Sequence, residues 1–286
     1  MGRIVLRNDA RSQVDFSVNP KEAQAMSTRI TVEQDGHVLM IGINRPEKRN
    51  AFDLESLDAL AAAYEQLGTD VELRVGVLFA HGDHFSSGLD LAAVAPVVAQ
   101  KGPMALAGAG RFDPWGIWGK PVPKPVVMAV HGIAYTLSIE LALACDIVIA
   151  SDDVRFRQLE IGRGILPFGG ATIRAAAYLG WGNAMRFLLT AEEFGAAEAL
   201  RIGLVQEVVP KGQQVDRART LGHLIAKQAP LGVQGTLANA RMAEIKGMGT
   251  AKEHLAALLP QILASEDAIE GMMSFTQRRE PAFKGK

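Results

Sequence analysis

Val126-Val-Met-Ala-Val130, His131-Gly-Ile-Ala-Tyr-Thr136, Leu137-Ser-Ile-Glu-Leu-Ala-Leu-Ala-Cys145 and, after Asp146, Ile147-Val-Ile-Ala150 follow one another and decide the fold. The first and last runs are apolar on both alternating faces and short, which is how a strand buried on both sides reads. Between them lies a turn of small residues and then an apolar helix candidate. Strand, helix, strand within so few residues argues a parallel α/β unit. One charge interrupts the apolar helix, Glu140. An unpaired buried carboxylate costs several kcal/mol by rough estimate, and its pKa often rises in response; taken alone, Glu140 reads more readily as a partly exposed or paired structural residue.

The same alternation extends outward. Val75–Ala80 is a further buried-strand run. Residues 29–34 and 37–43 read as two strands joined at the Asp35-Gly36 turn signal. Asp53 is placed to cap a helix running to about Leu67, whose Leu54, Leu57, Leu60, Ala61, Tyr64 and Leu67 form one stripe. Residues 91–123 read as irregular: the stretch is rich in proline and glycine and holds Phe112, Trp115 and Trp118. Such a long loop is either a pocket wall or a surface excursion anchored by its aromatics. Beyond Ala171 the signals are helical, apart from a short strand at 204–209. Helices are expected at 215–228 and as one long pattern over about 250–275.

Three regions result. Residues 1–25 are a polar leader, either disordered or preceding a natural start at Met26-Ser27; 26–210 form a mixed core. Residues 211–286 form a helical part too thin to bury its apolar faces alone, so it packs on the core or on neighbouring subunits. The chain has 286 residues, 48% apolar and 21% charged, as in a globular protein. A net charge of −1 provides no electrostatic footprint for nucleic acid or an anionic membrane. No apolar stretch is long enough to span a bilayer. The single cysteine, Cys145, rules out an internal disulfide framework and suits a reducing, cytoplasmic setting; its apolar run makes it a packing residue.

Chemistry concentrates at two turns. Phe85-Ser-Ser-Gly88-Leu89-Asp90 follows one strand, and His131-Gly-Ile-Ala-Tyr-Thr136-Leu137 follows another. Helix starts carry free N–H donors, and two such starts converging would cradle a negative oxygen. Either turn alone is an ordinary strand-to-helix connection. Glu140 lies about one helical turn beyond Leu137, and a second acid, Glu160, stands before Gly164-Ile-Leu-Pro-Phe-Gly-Gly170. An oxyanion cradle beside a pair of acid/base carboxylates is equipment for chemistry next to a carbonyl.

In these residues the chain resembles the crotonase superfamily of enoyl-CoA hydratases and isomerases. Asn44-Arg-Pro-Glu-Lys-Arg-Asn50-Ala51, the Phe85–Asp90 turn, Pro125-Val-Val-Met-Ala-Val-His-Gly132, Cys145-Asp146 and the 189–205 stretch are similar to its motifs in order and spacing. The tail, Glu270-Gly-Met-Met-Ser-Phe275 and Pro281–Lys286, is similar too. The resemblance implies an α/β spiral of ββα turns with a C-terminal helical trimerisation region, assembled as a homotrimer or hexamer. It implies an acyl-CoA thioester substrate and neither metal nor redox cofactor, coenzyme A arriving as part of the substrate. It assigns the oxyanion hole to the N–H groups of Leu89 and Leu137. Glu140 would activate water for attack at Cβ, and Glu160 would manage the proton at Cα. Arg49, Ala51, Ser87, Gly88, Asp90, Leu91, Trp115 and Trp118 fall in its substrate-binding positions. Hydration of a 2-enoyl-CoA is the leading expectation; a double-bond isomerase and a catalytically weak acyl-CoA-binding homologue are the alternatives.

The chain departs from the family pattern in two places. Thr136-Leu137-Ser138 replaces a run of glycines, so either that turn avoids positive φ or its oxyanion hole is altered. Phe168 replaces a usual glycine, so a smaller acyl pocket is expected. His81, Asp83 and His84 read as solvated loop residues rather than metal ligands, and Ser86, Ser87 and His131 do not form a nucleophile elbow. Gly162-Arg-Gly164 reads as a structural turn. Lys284 and Lys286 read as a frayed tail.

Overall fold

The computed structural model describes residues 29–102 and 110–286, so the leader and residues 103–109 lie outside the described part. The expected hairpin forms β1 (Ile30–Asp35) and β2 (Val38–Ile43), antiparallel, with Gly36 at φ 61° in the turn. Helix α1 (Leu54–Thr69) starts at Asp53, whose carboxylate accepts the Ser56 N–H at 2.8 Å. Then come β3 (Val75–Ala80), α2 (Leu91–Lys101), β4 (Val126–Val130), β5 (Ile133–Tyr135), α3 (Leu137–Ala142), β6 (Ile147–Ser151) and β7 (Arg155–Arg157). Helices α4 (Ala171–Leu179) and α5 (Trp181–Thr190), the short strand β8 (Phe194–Gly195), helix α6 (Ala196–Ile202) and the short strand β9 (Glu207–Val209) follow. The chain closes with α7 (Gln214–Ala226), α8 (Pro230–Leu263) and α9 (Glu266–Gln277).

The main sheet runs β1-β2-β3-β4-β6-β9, parallel from β2 onward. Alternation along its strands divides two cores. Leu39, Ile41, Leu78, Met128 and Val148 face the larger core under α1. Val38, Met40, Val77, Val127 and Ile149 face the other side, where Ala218 and Ala226 of α7 cover them. Burial on both faces is why these strands read as unbroken apolar runs. A second sheet, β5-β7-β8, stands beside the first. No helix among the described residues is long and apolar enough to cross a membrane.

Three expectations change. The stretch 91–123 is not irregular at its start, because α2 occupies Leu91–Lys101 with Pro96 inside it. Val94 and Val98, one turn apart, pack on the core and hold the helix despite that proline. The long C-terminal pattern is two helices rather than one. It begins at Pro230, kinks at Gly247 (φ 83°), and restarts where Ser265 caps α9 by accepting the Ala268 N–H. The tail is not frayed either. The buried Asp267 carboxylate accepts the N–H groups of Lys284 (2.7 Å) and Gly285 (2.8 Å), and Arg74 donates to the Phe283 carbonyl.

Candidate active site

The two turns meet. Ser86 bridges Ala134, its N–H bound to the Ile133 carbonyl and its carbonyl to the Tyr135 N–H, both at 3.0 Å. Gly88 (φ 97°) and Thr136 (φ 51°, ψ −112°) then face each other so closely that a Cβ on Gly88 would fall inside the Thr136 hydroxyl. The turn therefore does not avoid positive φ. It places Thr136, a β-branched residue, in a backbone region that favours glycine, and leaves Leu137 with ordinary helical angles.

This contact sets where the next amides lie. Phe52 bridges Leu89: its N–H binds the Gly88 carbonyl and its carbonyl accepts from Asp90, both at 2.8 Å. A bridge made this way turns the Leu89 N–H to the opposite side. Leu137 is the first residue of α3, so its N–H has no acceptor within the helix.

The opening motif is what holds the first turn. Asn50 is buried, and its amide nitrogen donates to the carbonyls of His81 (2.8 Å) and His84 (2.7 Å). Arg45 donates to the Ala51 carbonyl and to the Asp90 carboxylate, both at 2.9 Å. The Arg49 carbonyl accepts the Ser87 N–H while its side chain is exposed. Sequence reading assigned this motif to the family; its task as a brace for Phe85–Asp90 is visible only in the contacts.

Both acids are inside. Glu140 is 2% exposed and Glu160 8%. Glu140 Oε1 accepts the N–H groups of Gly169 (2.8 Å) and Ala171 (3.0 Å). Burial pushes the Glu140 carboxyl up to about 7. The amide hydrogen bonds oppose that rise, and the charge of Glu160 adds to it. Burial also raises Glu160 above the ordinary carboxylate range, and its buried Oε2 has no hydrogen-bond partner within the protein.

Two small cavities lie at the junction. The front one, about 40 Å³, is lined by Ser87, Leu89, Leu91, Thr136, Glu160, Arg163, Ile165 and Phe168. The rear one, about 10 Å³, is lined by Leu57, Asp113, Trp115, Trp118, Leu137, Phe168 and Gly169. Of the expected site residues, the structure gathers Ser87, Leu89, Leu91 and Glu160 at the front and Leu137, Trp115 and Trp118 at the rear. Gly88, Ala51 and Asp90 serve through the turn backbone. Arg49 and Glu140 line neither cavity; Glu140 stands behind Gly169. A much larger cavity, about 630 Å³, shares Asp113 and Trp115 with the rear one and extends against Cys145, Arg174 and Arg241; neither Glu140 nor Glu160 lines it.

The tryptophans are walls fixed by their indole N–H groups. Trp115 donates to the Leu137 carbonyl (3.1 Å) and Trp118 to the Phe168 carbonyl (2.8 Å). Their loop is organised by Asp113, which sequence reading missed. Its buried carboxylate accepts the N–H groups of Trp115, Ile117, Trp118 and Gly119. The only available signal was an aspartate before Pro-Trp-Gly, a common turn composition. Of the discounted residues, His81 bonds Thr31 and His131 bonds the Gly82 carbonyl. Among the described residues no three His, Cys, Asp or Glu side chains gather as metal ligands. Cys145 is a packing residue whose thiol burial pushes well up.

Two buried acids beside two outward-turned amides, on a parallel sheet of this topology, define a class of protein, and comparison with known proteins agrees. The enoyl-CoA hydratase/isomerase family profile matches residues 33–286. The chain belongs to that family, within the crotonase superfamily. The structure of a probable enoyl-CoA hydratase/isomerase from Mycobacterium abscessus superposes with a TM-score of 0.87 at 49% identity, covering 90% of this chain and 99% of that one. The enoyl-CoA hydratase EchA19 of Mycobacterium tuberculosis is 31% identical over 89% of this chain and 96% of its own length. A carnitinyl-CoA dehydratase of Salmonella paratyphi A is 32% identical over 91% of this chain and 100% of its own length.

Proposed function

We propose that this protein is a hydro-lyase that adds water reversibly across the double bond of a 2-enoyl-CoA. One observation carries the reading: the two turns that carry Leu89 and Leu137 meet, and two glutamates are buried at that junction, where burial raises both carboxyls. The N–H groups of Leu89 and Leu137 hold the thioester oxygen as it gains enolate charge. Removing one such donor costs about 100- to 1000-fold in rate. Glu140, whose carboxyl is pushed up to about 7 by burial, accepts a proton from water attacking Cβ once substrate opens the junction beside Gly169, since it lines neither cavity before that. Glu160, which lines the front cavity and whose buried Oε2 has no partner within the protein, delivers the proton to Cα. The amide hydrogen bonds on Glu140 Oε1 hold that carboxylate in one orientation. The chemistry calls for no metal and no redox cofactor.

Self-association as a trimer or hexamer belongs to the same proposal. Met248, Leu259, Leu263, Met272, Met273 and Phe275 of α8 and α9 are exposed apolar side chains, and an oligomer interface would cover them. A cytoplasmic setting fits the single free cysteine.

The test is loss of enoyl absorbance from crotonyl-CoA. Glu160→Gln and Glu140→Gln are each expected to lower kcat by about 100- to 10,000-fold, the range for a positioned acid or base. Turnover surviving in both variants would overturn the assignment. Exchange of deuterium at Cα with no added water would move the protein to the isomerases.

A further inference from the structure

We propose that the Phe168 side chain is a partition that sets acyl length, so that the site disfavours acyl groups of about six carbons or more. This rests on the hydratase reading for where the reacting carbons sit. Phe168 is the one residue lining both the front and the rear cavity. Without its ring, one continuous space would run from Glu160 past Leu137 to Trp115. With it, the front cavity is about 40 Å³. An apolar cavity of about 150 Å³ holds a benzene ring, so roughly a quarter of that leaves no room for a six-carbon group.

The rear cavity has the right walls for a longer acyl tail, since Leu57, Trp115 and Leu137 are apolar, but its volume is only about 10 Å³. A tail reaching it must displace the Phe168 ring, because the backbone cannot yield. Trp118 Nε1 holds the Phe168 carbonyl at 2.8 Å, and the next N–H, of Gly169, is held by Glu140 at 2.8 Å. Gly169 has no space for a side chain: a Cβ would stand 2.6 Å from Glu140 Oε2 and 2.8 Å from Leu137 Cδ1. The loop that carries the partition is therefore the loop that orients Glu140. Thr136 also lines the front cavity.

The experiment compares kcat/KM for four-, eight- and ten-carbon 2-enoyl-CoAs in the wild type and Phe168→Ala. The wild type is expected to prefer the four-carbon substrate by about 100-fold or more over the eight-carbon one, because a longer chain must push packed side chains aside. Phe168→Ala is expected to shrink that ratio by about tenfold or more. A wild-type ratio below about tenfold, or an unchanged ratio in a folded variant, overturns the proposal. Should Phe168→Ala fail to fold, Phe168→Leu must shift the ratio the same way by a smaller amount. Calorimetric binding of butanoyl-CoA and octanoyl-CoA separates the two readings. Length-dependent binding with no turnover of any enoyl-CoA keeps the partition and sinks the hydratase. Hydration without length preference does the reverse.

Discussion

The two turns that meet at the site do the same job with different residues. In Phe85–Asp90 a glycine, Gly88, takes the positive φ; in the turn before α3 a threonine, Thr136, takes it. The first turn is braced by Asn50 and Arg45 and carries no strained side chain. The second is held by the Thr136 N–H on the Arg157 carbonyl and by the Ser86–Ala134 bridge, and it is followed within one helical turn by Glu140. The difference teaches that an amide can be aimed without glycine if the surrounding contacts over-determine the backbone. The cost is local strain of order 1–3 kcal/mol and a side chain that takes up part of the front cavity's wall.

Beyond the loss of either acid, the largest expected effect breaks the turn that uses glycine. Gly88→Ala should lower turnover by about 100- to 1000-fold, because the new methyl collides with Thr136 and displaces the Leu89 N–H. Adding Thr136→Gly should recover part of that loss, since the collision partner is gone while the φ strain remains. A double variant as poor as the single one would mean that backbone strain at Gly88, not contact between the turns, sets the geometry.

Glu140→Gln should stabilise the protein at alkaline pH by on the order of 3 kcal/mol while abolishing turnover. The sign follows from proton counting. The folded carboxyl titrates at about 7 against a reference of 4.5, so between those values the folded state holds the extra proton. Stability from this group is thus full at acid pH and falls as pH rises toward 7. Urea titrations of both proteins at about pH 5 and about pH 8 check it; an equal gap at both would refute the buried-charge argument.

A smaller effect concerns rate. The pH profile of kcat/KM should carry an acid limb near 7, with activity down about tenfold at pH 6, as protonation removes the carboxylate needed to accept water's proton. The limb reports the Glu140–Glu160 pair rather than one member. A flat profile down to about pH 5 would exclude a titrating base in this range.

The smallest effect sharpens the comparison directly. Thr136→Gly should raise stability by about 1 kcal/mol, relieved strain exceeding the entropy cost of glycine, and shift Tm up by a few degrees. A lower Tm would show that the Thr136 side chain contributes more through packing over Gly88 than its backbone costs.

Much of this was legible in the sequence. Val75–Ala80 and Val126–Val130 matched their strands residue for residue, because burial on both faces writes itself as a continuous apolar run. Asp53 was legible as a cap because that role is local. The strands Ile133–Tyr135 and Arg155–Arg157 were not legible, being too short to show a period. Nor was α2, where Pro96 reads as a breaker although Val94 and Val98 anchor the helix. At the site, Glu140 and Glu160 stood out because a charge in an apolar neighbourhood is conspicuous. Asp113 did not, because its four amide partners come from a loop whose shape it creates.

What the sequence determined by itself was the material: apolar runs of strand length, two small-residue turns, and two acids where charge is expensive. Periodicity and local propensity act over a few residues and need no distant partner. Only the tertiary structure decided that Thr136 would carry the positive φ, that Asn50 and Arg45 would brace the first turn, and that Phe168 would stand between two cavities. Each of those depends on which distant groups arrive within a few ångströms, and that is settled by packing rather than by neighbours along the chain.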